Sequence, residues 1–593
     1  MRYLRLLSNA IVAGLIGAAY LTVLLLQINP DLPLSGRIVG EWYLALATLY
    51  AVHIAVLCYL TMMLLELTGL PVSAPAWISV RLQAWITSVA CAAAAVLTWL
   101  NLNGLSQAIG EDAARHMTAG AVGTSGVAAV LLMIAIIYYS VGRRGSRAAA
   151  AVLALAIVTS LALPIAARGF GAERTLPGTP LTVSLDGTSP SPAASATDPD
   201  GGRVVIVALE GASLEYIWPR AAEGRFPNIG RILDRGAAMD LATLQPTQPE
   251  PVWTAVATGK YPPKNGVASG ASYYVRSRDH MVGLLPDYCL AHALVRFGVV
   301  RAEPRSAASV RARPIWNILS ARGLSSGIVR WPLTYPVRPV RGFIISDRVH
   351  LVSSSLLRFT DESIAYPDDL LDEIRLAFSS PHAIPEIAPV PENASGGGLE
   401  TLQELPLRWD TIYGNLAREL SDQSHPRLFA VRYTGLDAMA HAYLRYATPR
   451  AFGDVTEAEV RRFGGVVDRY YSFIDGEIGT EMETLGPDDL LLVGSGFGID
   501  PMSVPKRLLA RVLGDARMSG THERAPDGFV LAYGAHVHSG KLPRGAVVDI
   551  APTILYYLGL PVGRDMDGYA RTDLFDHTFT DDRPIVFIPS YDR

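Results

Sequence analysis

Five stretches free of Asp, Glu, Lys and Arg fill the first third of this chain. Each is close to the ~20 residues a helix needs to cross a hydrocarbon layer. They are Leu7–Gln27, Trp42–Leu65, Leu82–Leu100, Ala119–Val141 and Ala148–Ala166. In lipid such a segment must satisfy its own backbone, and a helix does so. Residues 1–167 are therefore expected to form an all-α transmembrane domain of five helices. A cleavable signal peptide behind Arg2 and Arg5 is the alternative for the first run, but that run is long for one and four more follow. His53, the one imidazole inside a run, reads as a neutral side chain packed between helices, with an ion path as the alternative.

The loop cations set an orientation. Arg2 and Arg5 precede the first run, Arg81 the third, and Arg143, Arg144 and Arg147 the fifth. The other loops carry Arg37 and Arg115, offset by Asp31, Glu41, Glu111 and Asp112. The positive-inside rule then places the N-terminus in the cytoplasm and everything after the fifth helix outside it, in an integral plasma- or inner-membrane protein.

Charged residues make up 18% of the chain and hydrophobic ones 50%, where soluble chains carry about 25% charged. The net charge of −4 argues against a nucleic-acid partner, which would call for a basic excess. Cys58, Cys91 and Cys289 form neither a disulfide framework nor a thiolate metal site. From 168 to 202 the chain turns rich in Pro, Ser, Thr, Gly and Asp and reads as a linker. Residues 203–593 then have the composition of one large soluble domain.

That domain alternates strand and helix signals. Val204–Leu209 is an unbroken β-branched run, as in a strand buried on both faces, and it ends in Glu210-Gly-Ala-Ser. Leu428–Tyr433 repeats the pattern and leads to Asp437 and His441. Leu490–Val493 is a third such strand, ending in Gly494-Ser-Gly-Phe-Gly498. The fold class expected is α/β, an open mixed or parallel sheet flanked by helices, with its chemistry at the carboxyl ends of the strands. Asp437 and His441, four apart, would share one helix face. Thr254 follows the turn-like Gln248-Pro-Glu-Pro251, at what reads as a helix N-terminus with free amides for an alkoxide or phosphate. Taken singly, such a Thr is more often an N-cap, and such an Asp/His pair an ordinary hydrogen bond.

Together these segments resemble the type I phosphodiesterase/nucleotide pyrophosphatase branch of the alkaline phosphatase superfamily. The resemblance runs through Glu210-Gly-Ala, Arg225-Phe-Pro-Asn-Ile, Pro251-Val-Trp-Thr254, Ala257-Thr-Gly-Lys-Tyr-Pro262 and Asn265-Gly-Val. It continues in Pro314-Ile-Trp-Asn-Ile-Leu319, Trp331-Pro-Leu-Thr-Tyr-Pro336, Tyr433-Thr-Gly-Leu-Asp437 with His441, and Gly520-Thr-His522. Asp549-Ile-Ala-Pro-Thr-Ile-Leu555 with Leu558-Gly-Leu-Pro561 resembles the family's C-terminal signature, and the whole runs from about Arg203 to Asp567.

The resemblance implies two divalent metals, usually zinc, flanking a phosphorus, and a Thr or Ser nucleophile. By position Thr254 would be the nucleophile, and Asp437, His441 and His522 would hold one metal. Glu210 would serve the second metal, where the family also uses an Asp-His pair; that pair falls here on Gly494 and Ser495. The expectation is thus one zinc and a depleted second site, with His536, His538 or Asp500 as substitute ligands only if the fold brings them in.

The function implied is a membrane-anchored extracytoplasmic phosphodiesterase or phosphotransferase acting on a phosphodiester or pyrophosphate, with a lipid or envelope head group as a plausible substrate by analogy. The alternative is a pseudoenzyme that binds a phosphate-bearing ligand or a partner protein. A third reading makes the helices a transporter, against which the lack of intramembrane charge weighs. Ser269–Arg313, with Tyr273, Tyr274, Arg276 and Arg278, reads as a surface excursion or a substrate cap, and Asn393-Ala-Ser395 matches a glycosylation sequon.

Overall fold

The computed structural model describes residues 2–68, 76–140, 147–169, 201–285, 291–350, 362–380, 404–513, 518–523 and 525–592. Cys289, the Asn393 sequon and nearly all of the expected linker lie outside them. The described residues fall into two compact units. One combines the N-terminal helices with Ala268–Pro304, and the other holds the rest, up to Val267 and from Arg305 onward.

Each apolar run forms a helix longer than itself: α1 Arg2–Ile28, α2 Gly36–Leu67, α3 Val80–Ile109, α4 Glu111–Ser140 and α5 Arg147–Arg168. Ser35 and Ser79 extend α2 and α3 at their starts, where each hydroxyl accepts an amide N–H, from Ile38 and Leu82. All five are long and apolar enough to cross a membrane. α2 contains a π-turn at Ala47–Ala51, and Gly14 of α1 packs on it; a Cβ at Gly14 would stand 2.2 Å from the Ala51 carbonyl oxygen. His53 is not packed between helices. It is exposed, and its Nδ1 lies 2.6 Å from the Leu49 carbonyl one turn back, a partner that needs no second helix. Arg168, expected in the linker, ends α5 and donates to the carbonyls of Asn29 (2.7 Å) and Pro30 (3.0 Å) just past α1.

Ala268–Pro304 is no simple surface excursion. Its hairpin pairs Ala271–Tyr274 with Arg301–Pro304, and its Val282, Leu294 and Val300 are buried with Leu25, Leu26 and Trp42 of α1 and α2. Asn29 clamps it from below: Nδ2 donates to the Leu284 carbonyl at 2.8 Å and Oδ1 accepts the Leu284 N–H at 2.9 Å.

The second unit is built on a ten-stranded sheet. Its strands are β1 Val204–Leu209, β2 Ala237–Ala242, β3 Ser326–Val329, β4 Gly342–Ile345, β5 Ala365–Tyr366, β6 Leu428–Tyr433, β7 Leu490–Phe497, β8 Asp527–Tyr533, β9 Gly540–Lys541 and β10 Gly545–Ala546. They run in the order β9-β2-β8-β7-β1-β6-β3-β4-β5, with β10 also on β2. β1 is central and parallel to both β6 and β7, while β8 is antiparallel to its two neighbours. Alternate residues of β1 enter opposite cores. Val205, Val207 and Leu209 pack on one face, and Val204, Ile206 and Ala208 on the other. Burial on both faces is why this strand reads as an unbroken apolar run. The mixed sheet flanked by helices agrees with the fold class expected.

Candidate metal centre

The polar residues gather at the carboxyl end of the central strands. Asp437 and His441 lie one turn apart on α7, Gly435–Ala447, which follows β6. His522 comes from the loop after the short strand Gly520–Thr521. Each imidazole is oriented through its Nδ1, that of His441 lying 2.9 Å from the Gly520 carbonyl and that of His522 2.8 Å from the Gly498 carbonyl. Both Nε2 atoms therefore point inward, and they stand 3.0 Å apart. Asp437 Oδ1 is 2.8 Å from His522 Nε2, and Oδ2 is 3.6 Å from His441 Nε2. Burial disfavours a charged His522, but the Asp437 carboxylate and the Gly498 carbonyl outweigh it and hold its pKa above the ordinary histidine value.

This arrangement fits a divalent ion. With Nδ1–H given to a carbonyl, each neutral imidazole turns an Nε2 lone pair on the same point, and tying the outer ring nitrogen is how metal-bound histidines are usually oriented. Asp437 Oδ1 is buried with no hydrogen-bond donor aligned on it. Two nitrogens held at about 2.0–2.1 Å from one zinc stand roughly 3–3.5 Å apart, close to the spacing present. Gly211 makes room for the carboxylate. Its φ is +70°, and a Cβ there would lie 2.4 Å from Asp437 Oδ1. Among the described residues, Asp437, His441 and His522 form the one group of three or more such ligands that could hold an ion.

Around Glu210 the chemistry differs. Its carboxylate is ion-paired with Arg432 of β6, and both side chains are buried. Burial, reinforced by the fields of Asp437 and Glu250 and opposed by Arg432, pushes the Glu210 pKa up to about 7. Strand β7 does not stop at Val493 as expected but continues to Phe497. In its parallel register Gly494 stands beside Ala208, which puts Gly496 level with Glu210 at the tip. Gly494 and Ser495 are thus inside the strand, the Ser495 hydroxyl donating to the Phe497 carbonyl at 2.7 Å. At the tip itself stand Gly496 and Phe497, whose ring lies edge-on to His522 with centroids 4.7 Å apart. Neither offers a ligand atom, so the residues around Glu210 do not fit a second ion.

Thr254 is not at a helix N-terminus. Pro249, tolerated in a first turn, starts helix α6 at Pro249–Thr258, five residues before it. Thr254 is buried, and its hydroxyl donates to the Glu250 carbonyl at 2.6 Å. Among the described residues, none of the suggested substitute ligands joins a group of three or more possible metal ligands. His536 Nε2 is 3.2 Å from Asp488, His538 is exposed, and Asp500 pairs with Thr521 and feels the field of Glu215.

Residues 204–551 match the family described as type I phosphodiesterase / nucleotide pyrophosphatase. The match spans more than half of the chain. The chain belongs to this family. No curated protein matches it closely. This phosphodiesterase-family domain also shows what the other family-like segments do. Lys260, in Ala257-Thr-Gly-Lys-Tyr-Pro262, is buried and donates to Asp565 at 2.5 Å and Asp592 at 2.6 Å, tying the segment after α6 to the C-terminus. Sequence reasoning missed Arg432: a lone cation in an apolar strand carries no motif, and its partner lies 222 residues away.

Proposed function

We propose that this membrane-anchored domain cleaves or transfers a phosphoryl group of a phosphodiester or pyrophosphate at Asp437, His441 and His522. The convergence of two imidazole Nε2 atoms and one carboxylate carries this reading. That donor set suits one zinc, which supplies Lewis acidity toward a phosphoryl oxygen when bound. Thr254 is the nucleophile in this reading. Its hydroxyl would turn from the Glu250 carbonyl, and its oxygen would bond to phosphorus as the bond to the leaving group breaks, its proton passing to the departing oxygen. The alternating basic loops favour an extracytoplasmic domain, and with it a lipid or envelope head group as substrate.

A second reading, a pseudoenzyme that binds a phosphate-bearing ligand or a partner, draws on the Glu210–Arg432 pair and on the Gly496–Phe497 tip. The two readings separate in one assay. The full chain in detergent, loaded with zinc, is given a chromogenic phosphodiester beside its Thr254→Ala variant. Turnover that Thr254→Ala abolishes while zinc content stays constant supports the enzyme. Equal turnover in both proteins would sink Thr254 as nucleophile, and no turnover in wild type above a zinc-only blank would favour the binding protein.

A further inference from the structure

We propose that the Arg432 guanidinium takes the place of a second metal ion and binds the phosphoryl oxygens of a group held at Asp437, His441 and His522. The inference rests on the metal-centre reading above and assigns the other half of that site.

Arg432 sits on β6 level with Ala208 of β1, two residues short of Glu210, between parallel strands whose other residues are almost all apolar. It is 7% exposed and Glu210 5%. An ion pair in so dry a place is weak support for a fold, because desolvating both charges offsets their attraction. Apolar residues of similar volume would serve the sheet as well, so the pair points to chemistry.

The guanidinium is also incompletely used. One nitrogen meets Glu210, Nη1 reaches the Arg330 carbonyl at a long 3.3 Å, and Nε is buried without a partner. A guanidinium has five N–H donors, is always charged, and matches the oxygen spacing of phosphate. Its place is beside the metal ligands, since Gly211, next to Glu210, packs directly on the Asp437 carboxylate. A second ion would need Glu210 free and donors at the β7 tip. Here Glu210 is engaged, and the tip offers Gly496 and Phe497. A fixed cation in that position neutralises phosphoryl oxygens without further ligands.

The test uses the full chain in detergent, zinc content by elemental analysis, and inorganic phosphate as the calorimetric probe. Wild type is expected to hold one zinc per chain and to bind phosphate. Arg432→Met should keep the zinc and weaken phosphate about tenfold or more, as loss of a buried charge-assisted contact does, with Arg432→Lys in between. Glu210→Gln, which releases the guanidinium while keeping its neighbour's shape, should keep the zinc and bind phosphate at least as tightly. It supplies the reading should Arg432→Met fail to fold. Two zincs per chain in wild type, unchanged phosphate affinity in Arg432→Met, or loss of zinc in Glu210→Gln would each overturn the proposal. One zinc with phosphate indifferent to Arg432 leaves the metal centre standing. A wild type with no more zinc than His522→Ala defeats both.

Discussion

His441 and His522 face each other through their Nε2 atoms at 3.0 Å while backbone carbonyls, of Gly520 and Gly498, hold both rings from behind. Without an ion this geometry sets two lone pairs against each other unless a proton is added. With one, both rings are already aimed. The site is pre-organised, and ligand loss should therefore be felt in metal content before it is felt in folding.

His441→Ala and His522→Ala are each expected to lose zinc on dialysis while the melting transition of the zinc-free proteins stays close to that of zinc-free wild type. Elemental analysis and thermal scans of the full chain check this. Zinc retained in either variant would remove that residue from the centre.

Gly211→Ala should damage the same centre from the backbone side. A side chain at φ +70° is strained and its Cβ would drive into Asp437. A loss of roughly 1–3 kcal/mol in stability is expected, with weaker zinc binding. A denaturant titration with and without zinc measures both.

Lys260→Met tests a structural ion cluster. The ammonium is buried, whereas Asp565 and Asp592 are partly exposed, so they can rehydrate when it goes. The cost should be about 2–3 kcal/mol, below the figure for a fully buried pair. Zinc content should not change.

Two buried groups give opposite pH dependences. Burial, with the cations Arg330 and Arg432, pushes the His350 pKa down to about 3. The unfolded chain then takes up a proton near pH 6.5 that the folded one refuses, so stability falls as pH drops from 6.5 toward 3. Burial, opposed by Arg418 and Arg203, pushes the Glu481 pKa up to about 7. The folded state holds that proton more tightly, so its contribution is full below pH 4.5 and is lost as pH rises toward 7, by about 3 kcal/mol. Glu481→Gln should be the more stable protein at pH 8, and His350→Phe should flatten the acid limb. Denaturant midpoints from pH 4 to 8 read both effects.

Much of this was legible in the residues themselves. Length and the absence of charge announced α1–α5, and short, mostly apolar runs announced β1, β6 and β7. The i,i+4 spacing of Asp437 and His441, with the resemblance that added His522, marked the three side chains that the fold brings together. What escaped were relations between distant segments. That β7 continues to Phe497 depends on its ladder with β1 and β8. That Ala268–Pro304 packs on α1 and α2 rests on relations such as Val282 buried with Leu25 and Asn29 bonded to Leu284, the latter pair 255 residues apart. Local patterning alone placed Thr254 near a helix start, but not on the correct turn.

The sequence by itself determined the membrane-crossing helices, the α/β sheet and the family, because hydrophobic period, charge exclusion and short polar motifs are local properties of a chain. Only the tertiary structure decided which side chains share the strand tips: His441 with His522 across one point, Arg432 against Glu210, and Gly496 and Phe497 where ligands were expected. Those choices are set by register between parallel strands, and a register is fixed by cores on both faces of a sheet rather than by any one segment.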